Sequence, residues 1–216
     1  VLVYPVKLFQ NFHLYLAHRV CLCPNFSFPF RDCAFLLKYK IKFNNTIKDP
    51  YLITEEIVVN STIQDIENCK GIIILDNIIN IGNIGAIIRT AGILKFGVLL
   101  KNCATINEKI VEIACGGCDN IPIIILKNTA KSIQDIKQNY LLIALHENGE
   151  PINNIIPKTT KHLKPCIIVG SEENGISDLL IKNSDYLVKL HTDNSTYTTY
   201  NASVAIGISM YLFSNS

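Results

Sequence analysis

Residues 71–91 read GIIILDNIINIGNIGAIIRTA. An aliphatic run, Ile72 to Leu75, opens into a loop rich in Asn and Gly and then into a helical pattern. That succession is the signature of a parallel strand, a turn and a helix. It recurs twice: Gly170–Gly175 follows CIIV, and His191–Asn201 follows YLVKL. In an open parallel sheet every loop that leaves a strand's carboxyl end lies along one edge, and ligands bind in the crevice there. Three loops spread over more than a hundred residues can therefore build one site.

Outward from that stretch, the rest of the chain from residue 71 alternates in the same way. Strands are predicted at 71–75, 98–100, 121–126, 140–145, 166–169 and 186–190. Helices are predicted at 83–95, 107–115, 129–138, 175–183 and 200–213. The result is an α/β domain with a mostly parallel sheet flanked by helices. The stretch between Leu145 and Pro165 carries Asn148-Gly149, Pro151 and Pro157 and reads mostly as loop. Residues 1–70 are different in kind, with most of the aromatics, half of the eight prolines and no clear period. Only 53–59 and 61–69 look regular there, the second opening on Ser61 as a cap. The expected division is an N-terminal region, 1–70, of unclear fold and a main domain, 71–216.

Composition narrows the function classes. With 216 residues and 49% hydrophobic content, the chain can bury one full core with a small appendage. A net charge of +2 neither requires a nucleic-acid partner nor excludes one. No apolar run reaches the roughly 18 residues of a membrane helix, so no membrane partner is expected. The apolar first residues are broken by Lys7, Gln10, Asn11, His13, His18 and Arg19, which removes any signal-peptide core. With no initiating Met, the chain reads as a fragment at this end. Eight Cys without disulfide density point to a reducing compartment, taken as cytoplasmic with an organellar location left open. Cys115-Gly-Gly-Cys118 has no second pair at zinc spacing, and small residues packing at a helix end explain it better.

Asn83 suits a helix N-cap, and Gly82 and Gly85 allow close approach to the backbone. Arg89 follows Gly85 by four residues, on the same helical face. Its guanidinium would lean toward the loop over Gly85 and Ala86. A surface ion pair is the plainer account of Arg89 from this segment alone. Glu172 and Glu173 end a buried strand, where a solvated turn is again the plain alternative. Thr199-Tyr200-Asn201-Ala202-Ser203 is rich in hydroxyls and amides and runs into a helix; Ser203 lacks the setting of a hydrolase nucleophile. The glycines fall short of a dinucleotide fingerprint.

Taken together and in order, the three segments resemble the motifs of the SpoU, or TrmH-like, RNA ribose 2′-O-methyltransferases of the SPOUT superfamily. The first motif, approximately N-x-G-A-x-x-R-S/T-A, stands here as Asn83-Ile84-Gly85-Ala86-Ile87-Ile88-Arg89-Thr90-Ala91. The second, G-x-E-x-x-G, stands as Gly170-Ser171-Glu172-Glu173-Asn174-Gly175. The third, S-L-N-V-S-V-A, stands as Thr199-Tyr200-Asn201-Ala202-Ser203-Val204-Ala205. Ala114-Cys115-Gly116-Gly117 looks like the small-residue stretch between them. Each motif alone is weak; three in order over two thirds of the chain are specific.

The resemblance implies a C-terminal trefoil knot, a feature nearly absent from folds in general. It implies S-adenosylmethionine as methyl donor, no metal, RNA (ribosomal or transfer) as substrate, and a homodimer. By the same resemblance Arg89, Asn83, Glu172 and Asn201 are the catalytic candidates. Gly170, Ser171, Gly175, Leu190, Thr199, Asn201 and Ser203 are the cofactor-binding ones. Because an Arg guanidinium stays protonated, Arg89 is expected to act as a cation on phosphate or the 2′-oxygen rather than as a base. The family's N-terminal RNA-binding domain would correspond to residues 1–70 in a divergent or truncated form. Departures are Tyr200 for Leu, Leu190-His191-Thr192 for Ile-Pro-Met, and Asn80-Ile81-Gly82 where Asp-Pro precedes Asn. The change at His191-Thr192, where the family has Pro-Met, keeps a second reading in play, a catalytically silent SPOUT-fold RNA-binding protein.

Overall fold

A computed structural model describes residues 2–5, 51–54, 62–156, 163–193 and 199–214. Contacts divide the chain into two compact units, Val1–Val58 and Val59–Ser216. In the first, strand β1 (Leu2–Pro5) pairs antiparallel with β2 (Tyr51–Thr54). The regular element expected at 53–59 overlaps β2 and otherwise lies outside the described residues, as does Ser61.

The second unit is a six-stranded parallel sheet. Its strands are β3 (Gly71–Asp76), β4 (Phe96–Lys101), β5 (Ile123–Ile125), β6 (Tyr140–Pro151), β7 (Lys164–Gly170) and β8 (Tyr186–Lys189). Their order is β5-β4-β3-β7-β6-β8, and every pair is parallel. All six residues of β3 and of β4 are buried, as expected of central strands covered on both faces. Strand order reverses between β3 and β7, the switch point at which ligands bind in such sheets.

Alternate side chains feed two cores. Ile73, Leu75 and Val98 pack with α1 (Ile81–Leu94), α2 (Glu108–Ala114) and α5 (Ala202–Ser214). Ile72, Ile74 and Leu99 pack on the other face with Ile133 and Ile136 of α3 (Thr129–Ile136) and Leu180 of α4 (Asp178–Asn183). Ile66 belongs to this second core, on a 3-10 turn at Ile63–Asn68. Thr62 begins that turn. Its N–H and hydroxyl donate to Asp65 at 2.6 and 3.0 Å, which holds the Asp65 carboxyl below its ordinary pKa.

Two expectations are corrected. Asn83 is not the cap of α1: Asn80, with extended backbone, caps it, its side chain accepting from Asn83 N–H at 3.1 Å. Asn83 thus lies within the first turn, and its side chain is released for other partners. The second correction concerns 145–151, which continue β6 rather than forming a loop. β6 pairs with Val188 of β8 at Leu145 and again, after a register shift, at Glu150. Asn148-Gly149 marks a bulge, and Gly149 is required because a Cβ there would lie 2.5 Å from Val188 backbone atoms.

The Cys115–Cys118 segment ends α2. Cys115 is left-handed (φ 50), and a Cβ on Gly117 would sit 2.6 Å from the Ile88 carbonyl oxygen of α1. Small residues here serve helix packing.

A candidate active site at the carboxyl edge of the sheet

β3 ends on Asp76, fully buried, whose carboxylate pairs with Lys101 at the end of β4. The adjacent Asn77 is left-handed (φ 58), turning the chain out of the sheet toward α1. β7 ends on Gly170, where the loop closes on itself. Gly175 N–H donates to the Ser171 carbonyl at 2.9 Å, and Asn174 N–H to Ser171 Oγ at 3.1 Å. Any Cβ on Gly170 would overlap Gly175 O at 2.0 Å. Only glycine permits this turn, and the turn presents Glu172.

The third loop arrives at the start of α5. Asn201 Oδ1 caps that helix, accepting Ser203 N–H at 3.0 Å and Ser203 Oγ–H at 2.6 Å. The other end of the same side chain joins the remaining loops. Asn201 Nδ2 donates to Glu172 Oε1 at 2.8 Å and to Asn83 Oδ1 at 3.1 Å, across 118 residues of sequence in the second case. Asn83 Nδ2 donates to the same Glu172 oxygen at 3.3 Å. Asn83, Glu172 and Asn201, one from each loop, therefore form a single hydrogen-bonded cluster with one net negative charge.

Beside this cluster is a cavity of about 1090 Å³. Gly170, Ser171, Glu172, Gly175, Leu190, Thr199 and Asn201 line it. Of the anticipated cofactor residues, Ser203 stands behind the wall and fixes Asn201. Asn83 meets the cavity only through Glu172 and Asn201. The bulged end of β6 contributes Leu145, His146 and Glu147, which sequence reasoning missed because it read that stretch as loop. The strap 190–193 is tied to the segment leading into α5 by Tyr200, whose hydroxyl donates to the His191 carbonyl at 2.9 Å. His191 Nε2 lies 2.8 Å from Asp193 Oδ1.

Arg89 stands apart. It is exposed on α1, and among the described residues no hydrogen bond or ion pair engages it. Gly85 does not clear a path for it as expected. The space of the missing side chain is taken by Ile113 of α2, 2.6 Å from where a Cβ would be. Missed altogether was the Asp76–Lys101 pair; a Lys ending β4 is legible in sequence, but its partner is not. Nearby, burial pushes the Cys103 thiol pKa up, and its Sγ–H donates to the Leu75 carbonyl at 3.2 Å.

The sequence and the fold have counterparts in other proteins. The sequence model of the SpoU rRNA methylase family covers residues 70–211. A protein of Archaeoglobus fulgidus described as an uncharacterized tRNA/rRNA methyltransferase is 31% identical over 147 residues, covering 66% of this chain and 63% of its own. The 23S rRNA (guanosine-2′-O-)-methyltransferase RlmB of Pseudomonas putida is 27% identical over 166 residues, covering 75% and 65%. The chain thus spans under two thirds of either relative. The structure of the SpoU methyltransferase AviRb from Streptomyces viridochromogenes with AdoMet matches with a TM-score of 0.63 over 77% of this chain and 64% of that one. At 19% identity, that is a likeness of fold. A carboxyl-edge site assembled from the three motif loops, within a domain that the family model spans almost end to end, leads to one conclusion: the chain belongs to the SpoU rRNA methylase family.

Proposed function

We propose that this protein transfers a methyl group from S-adenosylmethionine to a ribose 2′-hydroxyl of ribosomal or transfer RNA. The observation that carries the proposal is the convergence of Asn83, Glu172 and Asn201 beside one large cavity. The cavity fits the cosubstrate. At about 1090 Å³ it is slightly larger than ordinary small-molecule sites, and its lining joins apolar side chains (Val169, Val188, Leu190) to polar residues of the motif loops. S-adenosylmethionine supplies a methyl group on a sulfonium. Gly170, Ser171, Gly175, Leu190 and Thr199 would hold it, with Ser203 acting through Asn201.

A ribose hydroxyl is a poor nucleophile, so positioning and stabilisation of the developing oxyanion are the contributions open to the protein. Glu172, held by two amides, is placed to accept a hydrogen bond from the ribose. Arg89, unengaged among the described residues, is available to an RNA phosphate or the 2′-oxygen. The reading uses no metal. Residues 1–70 would add RNA-binding surface.

The proposal extends to a homodimer. Ile81 on α1 and Val204, Ile208 and Tyr211 on α5, two helices that pack together, are between 37% and 62% exposed. Sedimentation at micromolar concentration should give a dimer; a monomer would count against this part. It also includes the C-terminal knot, which rests on membership of the family. A silent RNA-binding relative is favoured by one observation, His191-Thr192 in place of Pro-Met in the cofactor strap. Calorimetry with S-adenosylmethionine separates the two: saturable binding supports the enzyme, and none supports the silent relative.

A further inference from the structure

Asp76 is fully buried at the active edge, yet the reaction proposed above does not use it. Its carboxylate is shared among three donors. Oδ1 accepts from Lys101 Nζ and, at 2.8 Å, from Asn77 Nδ2. Oδ2 accepts the backbone N–H of Ser177 at 2.7 Å, 101 residues away in sequence. Lys101 is itself only 11% exposed, so each charge serves as the other's counter-ion.

The Ser177 bond gives the pair a role beyond the sheet. Asp76 is the ladder partner of Gly170, where the second motif loop begins. Its side chain grips Ser177, where that loop ends and α4 starts. One residue therefore clips both ends of the loop that presents Glu172. The Ser177 carbonyl accepts only from Leu180 and Ile181 of its own helix and its hydroxyl is buried without a hydrogen-bond partner, so among the described residues the bond to Asp76 is what ties Ser177 to the sheet. Stability alone does not call for a charge pair here, since well-packed apolar residues of similar volume serve as well or better. An apolar residue cannot accept the Ser177 N–H.

We propose that Asp76, with Lys101 as its counter-ion, is a positioning residue that fixes where the Gly170–Ser177 loop presents Glu172 to Asn83 and Asn201. The inference rests on the methyl-transfer reading and deepens it. The test compares two double variants that both remove the buried charges. D76N/K101M keeps an acceptor oxygen for Ser177, whereas D76L/K101M does not. Unfolding midpoint, cofactor affinity by calorimetry, and kcat at saturating S-adenosylmethionine and RNA are measured for each. Expected is a kcat at least tenfold below the parent for D76L/K101M, recovered to within threefold in D76N/K101M, with both folded. Equal kcat in the two doubles would overturn the proposal.

Should D76L/K101M fail to fold, Ser177→Pro provides the same test from the other side. Ser177 has φ −63, proline's own value, so the change removes the donor while sparing the ion pair. A tenfold or greater loss of kcat supports the clip, and an unchanged kcat overturns it. A parent that transfers no methyl group at all refutes the underlying reading instead, which keeps the two failures apart.

Discussion

Asn201→Asp is the sharpest perturbation of the three-loop cluster, because it changes two bonds and spares two others. The side chain keeps its shape, and an aspartate caps a helix as well as an asparagine. The bonds from Ser203 N–H and Oγ–H to Oδ1, which hold the start of α5, are therefore retained. Lost are the donations to Glu172 Oε1 at 2.8 Å and to Asn83 Oδ1 at 3.1 Å, and a carboxylate oxygen now faces Glu172. At 2.8 Å two like charges repel by about 1.5 kcal/mol at the dielectric of water and about 6 kcal/mol at an effective value near 20. The cluster is solvent-accessible, so the lower figure governs. The lost charge-assisted hydrogen bond, discounted for the same reason, adds about 1 kcal/mol. Together they disorganise the site by about 2–3 kcal/mol, roughly a thirty- to hundred-and-fifty-fold fall in kcat. The assay is transfer of labelled methyl groups to RNA at saturating cofactor, beside urea unfolding. Expected is a large rate loss in a folded protein whose stability falls by no more than the same ~2–3 kcal/mol. Turnover within threefold of the parent would refute the idea that the cluster organises the reaction.

Arg89→Ala should lower methyl transfer by roughly a hundred- to a thousandfold, the usual cost of one lost donor at a developing oxyanion, with cofactor affinity measured by calorimetry unchanged. Arg89→Lys should rescue poorly, since a point charge cannot reproduce a bidentate fork; turnover near the parent's would leave Arg89 a surface residue. Tyr200→Phe removes the tether to His191 and should weaken S-adenosylmethionine binding roughly two- to tenfold, with kcat at saturation preserved. An unchanged dissociation constant would mean the strap needs no tether. Alkaline stability offers a fourth check. Burial pushes the Tyr140 hydroxyl up to about 12 from an ordinary value of 10.0, and it donates to the Ile66 carbonyl at 2.9 Å. A raised folded-state value means the unfolded chain loses this proton first. The contribution is thus complete below pH 10 and fades as pH rises toward 12. Tyr140→Phe should flatten the fall in urea midpoint over that window; an identical slope would refute the assignment.

What could be read in the sequence follows the physics of each element. Unbroken aliphatic runs such as Ile72–Leu75 and Cys166–Val169 admit few alternatives to buried parallel strands, and all six strands from β3 onward lie where such runs were read. Asn148-Gly149 misled because the same dipeptide serves a loop or a bulge. Pairing with Val188 decides between them, and pairing is a tertiary fact. Asn80 and Asn83 are equally good caps on local grounds. Tertiary contacts with Glu172 and Asn201 give the second a different task. The site residues were visible as motifs, but their bonds were not, since partners 29 to 118 residues apart carry no periodic signal. Asp76 was overlooked for a related reason: a carboxylate ending a strand looks like a solvated turn until Lys101 and Ser177 are seen to enclose it.

The acceptor atom of the methyl group can be identified directly by chemistry. RNA incubated with the protein and S-adenosylmethionine is hydrolysed in alkali and analysed by mass spectrometry. A methyl group on the 2′-oxygen blocks cleavage of the adjacent phosphodiester, so the account predicts methylated dinucleotides that survive alkali and are absent without the protein. Label found only on bases, in mononucleotides released by alkali, would contradict it.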